Sequence, residues 1–287
     1  MGLIFVKLGG SLITDKSTPE TPRPDVIRRL AEEVRRALER RPDLRVLLGH
    51  GSGSFGHVVG QKYNLREGIA SPRGWEGYVR TAAAAARLHR IVVDLCLEVG
   101  LWVVSLPPSA SAWCVDGRLV SMDTRPHRTL LSHGVIPLVY GDVALDKVRG
   151  ATIVSTEEVF AHLARAEPAL RPEHIILVGN VDGVYTADPH REPSARPIPH
   201  LTPEEALQLS SLGGSHGIDV TGGMAGKVRE MALLARALPG LTVHILSGQI
   251  PGALEEALLC PDRARGTRIG PASPTPSHRP NNPVSTE

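Results

Sequence analysis

Short apolar runs rich in β-branched residues alternate along the chain with longer segments whose apolar positions recur at helical spacing. That pattern predicts an α/β fold, an open αβα sandwich around a mostly parallel sheet with crossover helices. The predicted strands are Ile4–Leu8, Arg45–Gly49, Leu101–Leu106, Ile136–Tyr140, Thr152–Val154, His174–Val178 and Val243–Ser247. The predicted helices are Pro24–Arg40, Trp75–Val99, Glu157–Ala166, Thr202–Leu209, Ala225–Leu238 and Gly252–Leu258. Thr202-Pro203-Glu204-Glu205 supplies an N-cap, a proline at the first helical position and acid in the first turn.

Several predicted strands run straight into glycine-bearing turns: Lys7-Leu8-Gly9-Gly10-Ser11, Gly49-His50-Gly51-Ser52-Gly53, Tyr140-Gly141-Asp142, Val178-Gly179-Asn180 and Leu246-Ser247-Gly248. Ligands of open α/β sheets bind beyond the carboxyl ends of the strands, so these turns are expected to line one cleft. With 287 residues, 41% of them apolar, the chain suffices for one large domain or two lobes sharing a sheet.

Charge narrows the partners. The formal net charge is only +2, which does not point to nucleic acid. The basic run from Arg28 to Arg45 is interleaved with Glu32, Glu33, Glu39 and Asp43 and reads as a solvated helix face. Cys96, Cys114 and Cys260 stand in no metal-ligand spacing, which fits reduced thiols in a cytoplasmic protein. Leu3–Val6 is too short for a secretory core, and no run reaches the roughly 20 apolar residues of a membrane span. The segment 271–287, with its prolines and little apolar content, is expected to stay disordered.

The turns carry the chemistry. Lys7 lies inside an apolar strand ahead of Gly9-Gly10-Ser11, and burying its charge requires an anion nearby. Glycines let backbone N–H groups approach phosphate oxygens, and Lys7 or Lys16 would neutralise the charge; an ordinary tight turn is the plain alternative. Gly51-Ser52-Gly53-Ser54-Phe55-Gly56 satisfies G-x-G-x-x-G, but Gly60, Gly68, Pro72 and Gly74 then predict a loop where a dinucleotide fold needs a helix and a strand. What remains is a phosphate-holding glycine loop finishing in His57, a hydrogen-bond donor. Thr221-Gly222-Gly223-Met224-Ala225-Gly226-Lys227 joins glycines to a helix N-terminus and a lysine, a combination that favours an anion without being a Walker A loop. Asp182 and Asp188 fit ligand contacts or turn positions equally well.

Taken in order, Val6-Lys7-Leu8-Gly9-Gly10-Ser11, His50-Gly51-Ser52-Gly53-Ser54-Phe55-Gly56-His57, Tyr140-Gly141-Asp142, Val181-Asp182-Gly183-Val184-Tyr185 and Thr221-Gly222-Gly223-Met224-Ala225-Gly226-Lys227 resemble the amino-acid kinase superfamily, and within it the isopentenyl phosphate kinase family. His57, ending Gly-Ser-Phe-Gly-His, points to the branch whose acceptor is itself a phosphate or phosphonate. The resemblance implies a homodimer built by an acceptor-binding half, residues 1–170, and a nucleotide-binding half, residues 171–270, that takes ATP with Mg²⁺. It implies that Lys7, Lys16 and Lys227 contact the transferring phosphates, that His57 contacts the acceptor phosphate and that Asp142 orients lysines. Gly9, Gly10, Gly53 and Gly141 would supply backbone donors, with Gly51, Ser52 and Gly56 completing the acceptor loop. Asp182, Gly183, Tyr185, Asp188, Gly222, Gly223 and Met224 would line the nucleotide site.

Ser52 stands where the family commonly has glycine, which a small residue tolerates if its φ stays negative. Ser155-Thr156-Glu157-Glu158 stands where relatives show a Ser-Gly-Asp-Asp-like stretch, so any contact made there is expected to shift by a methylene. The helix holding Tyr78 and Ala82 to Ala86 is either a wall for a hydrocarbon tail or a tight helix contact. A phosphonate kinase such as one acting on fosfomycin, or a non-catalytic ligand-sensing module on the same fold, remain as alternatives.

Overall fold

In the strand Leu3–Leu8, Leu3 and Phe5 belong to one buried apolar cluster and Ile4, Val6 and Leu8 to another. Successive side chains of a strand leave opposite faces, so one strand feeds two cores. Its neighbours divide the same way: Leu47 against Val46 and Leu48, Ile175 against Ile176, Val243 against Leu246. A sheet buried on both faces needs helices on both. The computed structural model, which describes residues 2–15, 17–187, 192, 194–212 and 222–271, has them.

The central sheet has eight strands, ordered His200–Leu201, Thr267–Ile269, Thr242–Ser247, His174–Gly179, Leu3–Leu8, Arg45–His50, Ile136–Tyr140, Val103–Ser105. Neighbours are parallel except Thr242–Ser247 with Thr267–Ile269. The helices are α1 (Gly10–Ile13), α2 (Pro24–Arg40), α3 (Gly53–Lys62), α4 (Pro72–Glu98), α5 (Arg125–Ser132), α6 (Thr156–Ala166), α7 (Pro203–Leu212), α8 (Gly222–Ala237) and α9 (Ala253–Leu259). Leu12, Leu30, Leu88 and Leu254 put α1, α2, α4 and α9 on one face, while Leu131, Phe160, Ala206 and Met231 put α5, α6, α7 and α8 on the other. The two sequence halves share this sheet, because Leu3–Leu8 pairs with His174–Gly179.

Of the predicted strands, Thr152–Val154 falls outside the central sheet. It belongs to Gly150–Val154 in a second, four-stranded sheet with Asp142–Asp146, Trp113–Val115 and Arg118–Ser121. Asp146 clips this sheet together, accepting the N–H groups of Asp116 (3.1 Å), Gly117 (2.6 Å), Val148 (2.8 Å) and Arg149 (2.8 Å). The loop predicted after Gly56 is instead α3. Its glycines are contact points rather than breakers: a Cβ on Gly56 would lie 3.3 Å from Ala85 Cβ, and one on Gly60 2.6 Å from Ile153 Cδ1. A single 3₁₀ turn, Leu65–Glu67, and then α4 follow. The dinucleotide fingerprint therefore fails on its missing strand, not on its helix.

Glu33 also departs from its expected solvated face. It is fully buried, accepts from Arg29 (2.7 Å), and takes the N–H groups of Leu254 (3.0 Å) and Glu255 (3.3 Å) at the start of α9. Thr202 is the expected N-cap, and with Glu205 it forms a reciprocal pair, Glu205 N–H donating to Thr202 Oγ1 at 3.2 Å and Thr202 N–H to Glu205 Oε2 at 2.7 Å. Among the described residues no helix is long and apolar enough to cross a membrane. From residue 272 on, the tail expected to be disordered lies outside the described residues.

Candidate active site

Lys7 stands in register with Gly49 on one side and Leu177 on the other, on the sheet face that carries Leu3 and Phe5. It is 7% exposed, and its anion is Glu157, in the first turn of α6, with which it forms a buried ion pair. Gly49 lets α6 come this close, since a Cβ there would fall 2.5 Å from Thr156 Cγ2 and 2.9 Å from the Phe160 ring. The helix opens on a capping box in which Glu158 N–H donates to Ser155 Oγ (3.1 Å) and Ser155 N–H to Glu158 Oε2 (2.5 Å). Both glutamates of the departing stretch are thus in use. Burial pushes the Glu157 carboxyl up, but Lys7, aided by Lys227, holds it below the usual value. Its Oε1 has no hydrogen-bond partner among the described residues. Glu230, one turn beyond Lys227 on α8, is pushed up to about 8 by burial and by the charges of Glu158 and Glu157.

Across the sheet edge, the two glycine turns interlock. A Cβ on Gly10 would lie 2.4 Å from the Gly53 nitrogen, and one on Gly51 2.8 Å from the Gly10 nitrogen. Ser52 is right-handed (φ −76, ψ −8) and Gly53 left-handed (φ +50), a succession that turns consecutive amides toward one side and forms an anion-binding concavity. Ser52 keeps the negative φ that a side chain at this turn requires. Ser54 N–H is taken by Thr14 Oγ1 at 3.0 Å, whereas the N–H groups of Gly10, Ser11, Ser52 and Gly53 have no acceptor among the described residues.

Two expected donors are already engaged. Gly9 N–H donates to Val178 O at 2.7 Å and Gly141 N–H to His50 O at 3.0 Å, because both prolong the ladder between neighbouring strands. Gly56 sits inside α3, facing Ser52 Cβ. His57 is an exposed residue of the same helix rather than the end of a loop.

Asp142 has partners other than a lysine: it accepts from the N–H groups of Ser109 (3.1 Å) and Val143 (2.8 Å) and from the Tyr140 hydroxyl, and burial still leaves its carboxyl above the ordinary range. The carboxylate that holds Lys7 is Glu157. Sequence reasoning also passed over His50, which ends the strand Arg45–His50 fully buried. Its Nδ1 lies 3.0 Å from Gly51 O and its Nε2 2.9 Å from His89 Nδ1, while His89 Nε2 lies 2.7 Å from Ser105 Oγ. Burial lowers His50 to about 4 and His89 to about 3. A histidine closing an otherwise apolar strand just before a glycine turn was the available signal.

Beyond His174–Gly179, the Tyr185 hydroxyl donates to Asp182 Oδ1 at 2.8 Å on the surface. Gly183 (φ +152) is pressed against Thr267, where a Cβ would meet Oγ1 at 2.7 Å. Asn180 Nδ2 donates to Ser11 O at 2.8 Å, joining this loop to the first glycine turn. Helix α8 opens at Gly222 and Gly223, as expected, and carries Lys227 toward Glu157. Lys16, Asp188, Thr221 and the side chain of Met224 lie outside the described residues.

On α4, Ala84 and Ala85 are buried and Ala83 is exposed, so the alanine run is partly a helix contact. Ala82 and Tyr78 instead join Leu65, Ile69, Val143, Ala151 and Ile153 in a small separate apolar cluster.

Residues 2–247 match the amino acid kinase family. The chain is 36% identical to the isopentenyl phosphate kinase of Methanothermobacter thermautotrophicus over 274 residues, covering 93% of this chain and 98% of that protein. It is 36% identical to the isopentenyl phosphate kinase of Haloferax volcanii over 265 residues, 88% of this chain and 98% of that one. A crystal structure of isopentenyl phosphate kinase superimposes with a TM-score of 0.78 at 33% identity, covering 93% of this chain and 100% of the other.

Proposed function

The chain belongs to the amino acid kinase family, and from that premise we propose that it transfers the γ-phosphoryl group of ATP to isopentenyl phosphate, giving isopentenyl diphosphate and ADP. The observation that carries the reading is the set of amides on Gly10, Ser11, Ser52 and Gly53, without acceptors among the described residues, beyond the ends of the paired strands Leu3–Leu8 and Arg45–His50, the first of which carries the Lys7 that pairs with Glu157.

A phosphate monoester has a second pKa near 6, so the acceptor is largely dianionic at neutral pH and needs no general base. The protein's work is then to bring two anions into line and cancel their repulsion. The free amides cradle phosphate oxygens, and Glu157 holds the Lys7 ammonium at the strand end. Lys16 and Lys227 add charge, and His57 donates to the acceptor phosphate from the open side of α3. Asp182, Gly183, Tyr185, Asp188, Gly222, Gly223 and Met224 are assigned to the nucleotide, residues 1–170 to the acceptor side and 171–270 to the ATP side. The apolar cluster around Ala82 and Tyr78 receives the hydrocarbon tail.

Among the described residues no group of three His, Cys, Asp or Glu is placed to hold a metal. Mg²⁺, which keeps waters and substrate phosphates as ligands, fits such a site when brought by ATP. It would supply neutralisation of phosphate charge. A homodimer is supported by Trp102 (71% exposed), Val104 and Leu97 beside the edge strand Val103–Ser105. The proposed compartment is the cytoplasm.

Incubation with MgATP and isopentenyl phosphate, dimethylallyl phosphate, fosfomycin or an acidic amino acid, followed by phosphorus NMR, tests the assignment. The expected product is the diphosphate of the prenyl phosphates. Turnover confined to fosfomycin or the amino acid would overturn it.

A further inference from the structure

The hydrogen-bond chain from Ser105 to the second glycine turn has a forced direction. Gly51 O only accepts, so His50 Nδ1 must carry a proton and donate to it across 3.0 Å. In a neutral ring Nε2 is then the acceptor, and at 2.9 Å it takes the proton of His89 Nδ1. His89 Nε2, likewise an acceptor, receives the Ser105 hydroxyl at 2.7 Å. Burial keeps both rings neutral, so each is fixed as the Nδ1–H tautomer. Tyr140 stacks on both, with ring centroids 4.1 Å from His89 and 5.6 Å from His50, and stands against a ring flip.

The far end of this chain bears on the site. A trans peptide points its C=O and the next residue's N–H in opposite directions. Holding Gly51 O inward on His50 therefore aims Ser52 N–H outward, where its nitrogen lies 3.7 Å from the place a Gly141 Cβ would take and has no acceptor among the described residues. The carbonyl of His50 itself accepts Gly141 N–H (3.0 Å) and Thr156 Oγ1–H (2.7 Å), so one residue ties together the turn, the next strand and α6.

We infer that His50 and His89 are positioning residues for phosphoryl transfer, locking the Gly51–Ser52 peptide so that Ser52 N–H faces the acceptor phosphate. The inference rests on the isopentenyl phosphate reading given above. The relay touches no substrate atom; it acts through the peptide it orients.

Steady-state kinetics of His50→Leu and His89→Leu, beside imidazole nitrogen NMR of the wild-type protein at pH 7, test it. Misaiming one donor to a charged phosphate is expected to raise the acceptor KM about 10- to 100-fold, with the ATP KM nearly unmoved. His50→Asn, whose amide nitrogen stands close to the position of Nδ1, is expected to recover most of the loss, which a merely space-filling role would not require. Both wild-type rings should show a protonated Nδ1 and a free Nε2. A wild-type acceptor KM in folded His50→Leu, or an Nε2–H tautomer in either ring, overturns the inference, and the tautomer reading stands even if the variants do not fold. Failure of the functional reading looks different: isopentenyl phosphate is then no substrate of the wild type, while both tautomers still support the locked peptide.

Discussion

Lys7 and Glu157 meet in the interior as an ion pair, the lysine from the end of the strand Leu3–Leu8 and the glutamate from the first turn of α6. The contact depends on a missing side chain, that of Gly49, which brings the helix start against the strand. Both glutamates of the turn are engaged, Glu158 closing the capping box while Glu157 reaches the lysine.

Breaking a buried pair by removing one partner costs about 3–5 kcal/mol, because the other charge is stranded. Lys7→Ala and Glu157→Ala are each expected to lower the urea-unfolding free energy by that amount. The double variant Lys7→Met/Glu157→Met is expected to regain most of the stability, yet phosphoryl transfer stays strongly impaired because the ammonium is gone. Single variants within about 0.5 kcal/mol of wild type would mean that the pair does not form.

His57 gives the opposite signature. It is exposed on α3, so His57→Ala should leave stability within about 0.5 kcal/mol. Loss of one preorganised donor to the acceptor phosphate is expected to lower kcat by roughly 10²–10³. Unchanged turnover in the purified variant would remove the histidine from the mechanism.

The sheet was readable because strand alternation and helical spacing leave separate marks, and because the glycine turns stand at strand ends. Which glycines donate was not. Gly9 and Gly10 are adjacent, but Gly9 prolongs the ladder to Val178 while Gly10 faces the second turn, a difference set by register. Likewise Asp142 and Glu157 both follow strands, and only the closeness of α6 to Gly49 decides which one meets Lys7. Helix α3 escaped detection because Gly56 and Gly60 serve packing, a role that composition cannot separate from helix breaking.

The α4 alanines also divide by geometry. Ala82 lines the small apolar cluster with Tyr78 and Ile153, whereas Ala83 faces solvent. Ala82→Leu is expected to depress turnover of longer prenyl phosphates relative to isopentenyl phosphate by roughly tenfold, since a methylene or two in an apolar pocket is worth about 1–3 kcal/mol. Ala83→Leu should leave the ratio unchanged. Competition assays with mixed acceptors read it directly, and identical ratios in both variants would move the tail elsewhere.

Acid sensitivity follows from the buried histidines. Unfolded imidazoles titrate near 6.5, while burial lowers His50 and His127 to about 4 and His89 and His244 to about 3. Between those values the unfolded chain binds protons that the folded chain refuses, so the contribution of these rings to stability is full above about 6.5 and is lost as pH falls toward their folded values. Each such ring contributes a slope of about 1.4 kcal/mol per pH unit. His127 isolates one contribution, because it is 3% exposed and neither ring nitrogen has a hydrogen-bond partner among the described residues, with the Asp123 carboxylate and the His162 imidazole, itself lowered by burial, beside it. His127→Phe should gain about 1 kcal/mol at pH 8, where an unsatisfied polar ring is replaced by an apolar one. At pH 5 the gain should be about 2 kcal/mol larger, since the variant no longer gives the unfolded state that proton. Urea unfolding at the two pH values measures both terms, and an equal gain at each would place the acid sensitivity in other residues.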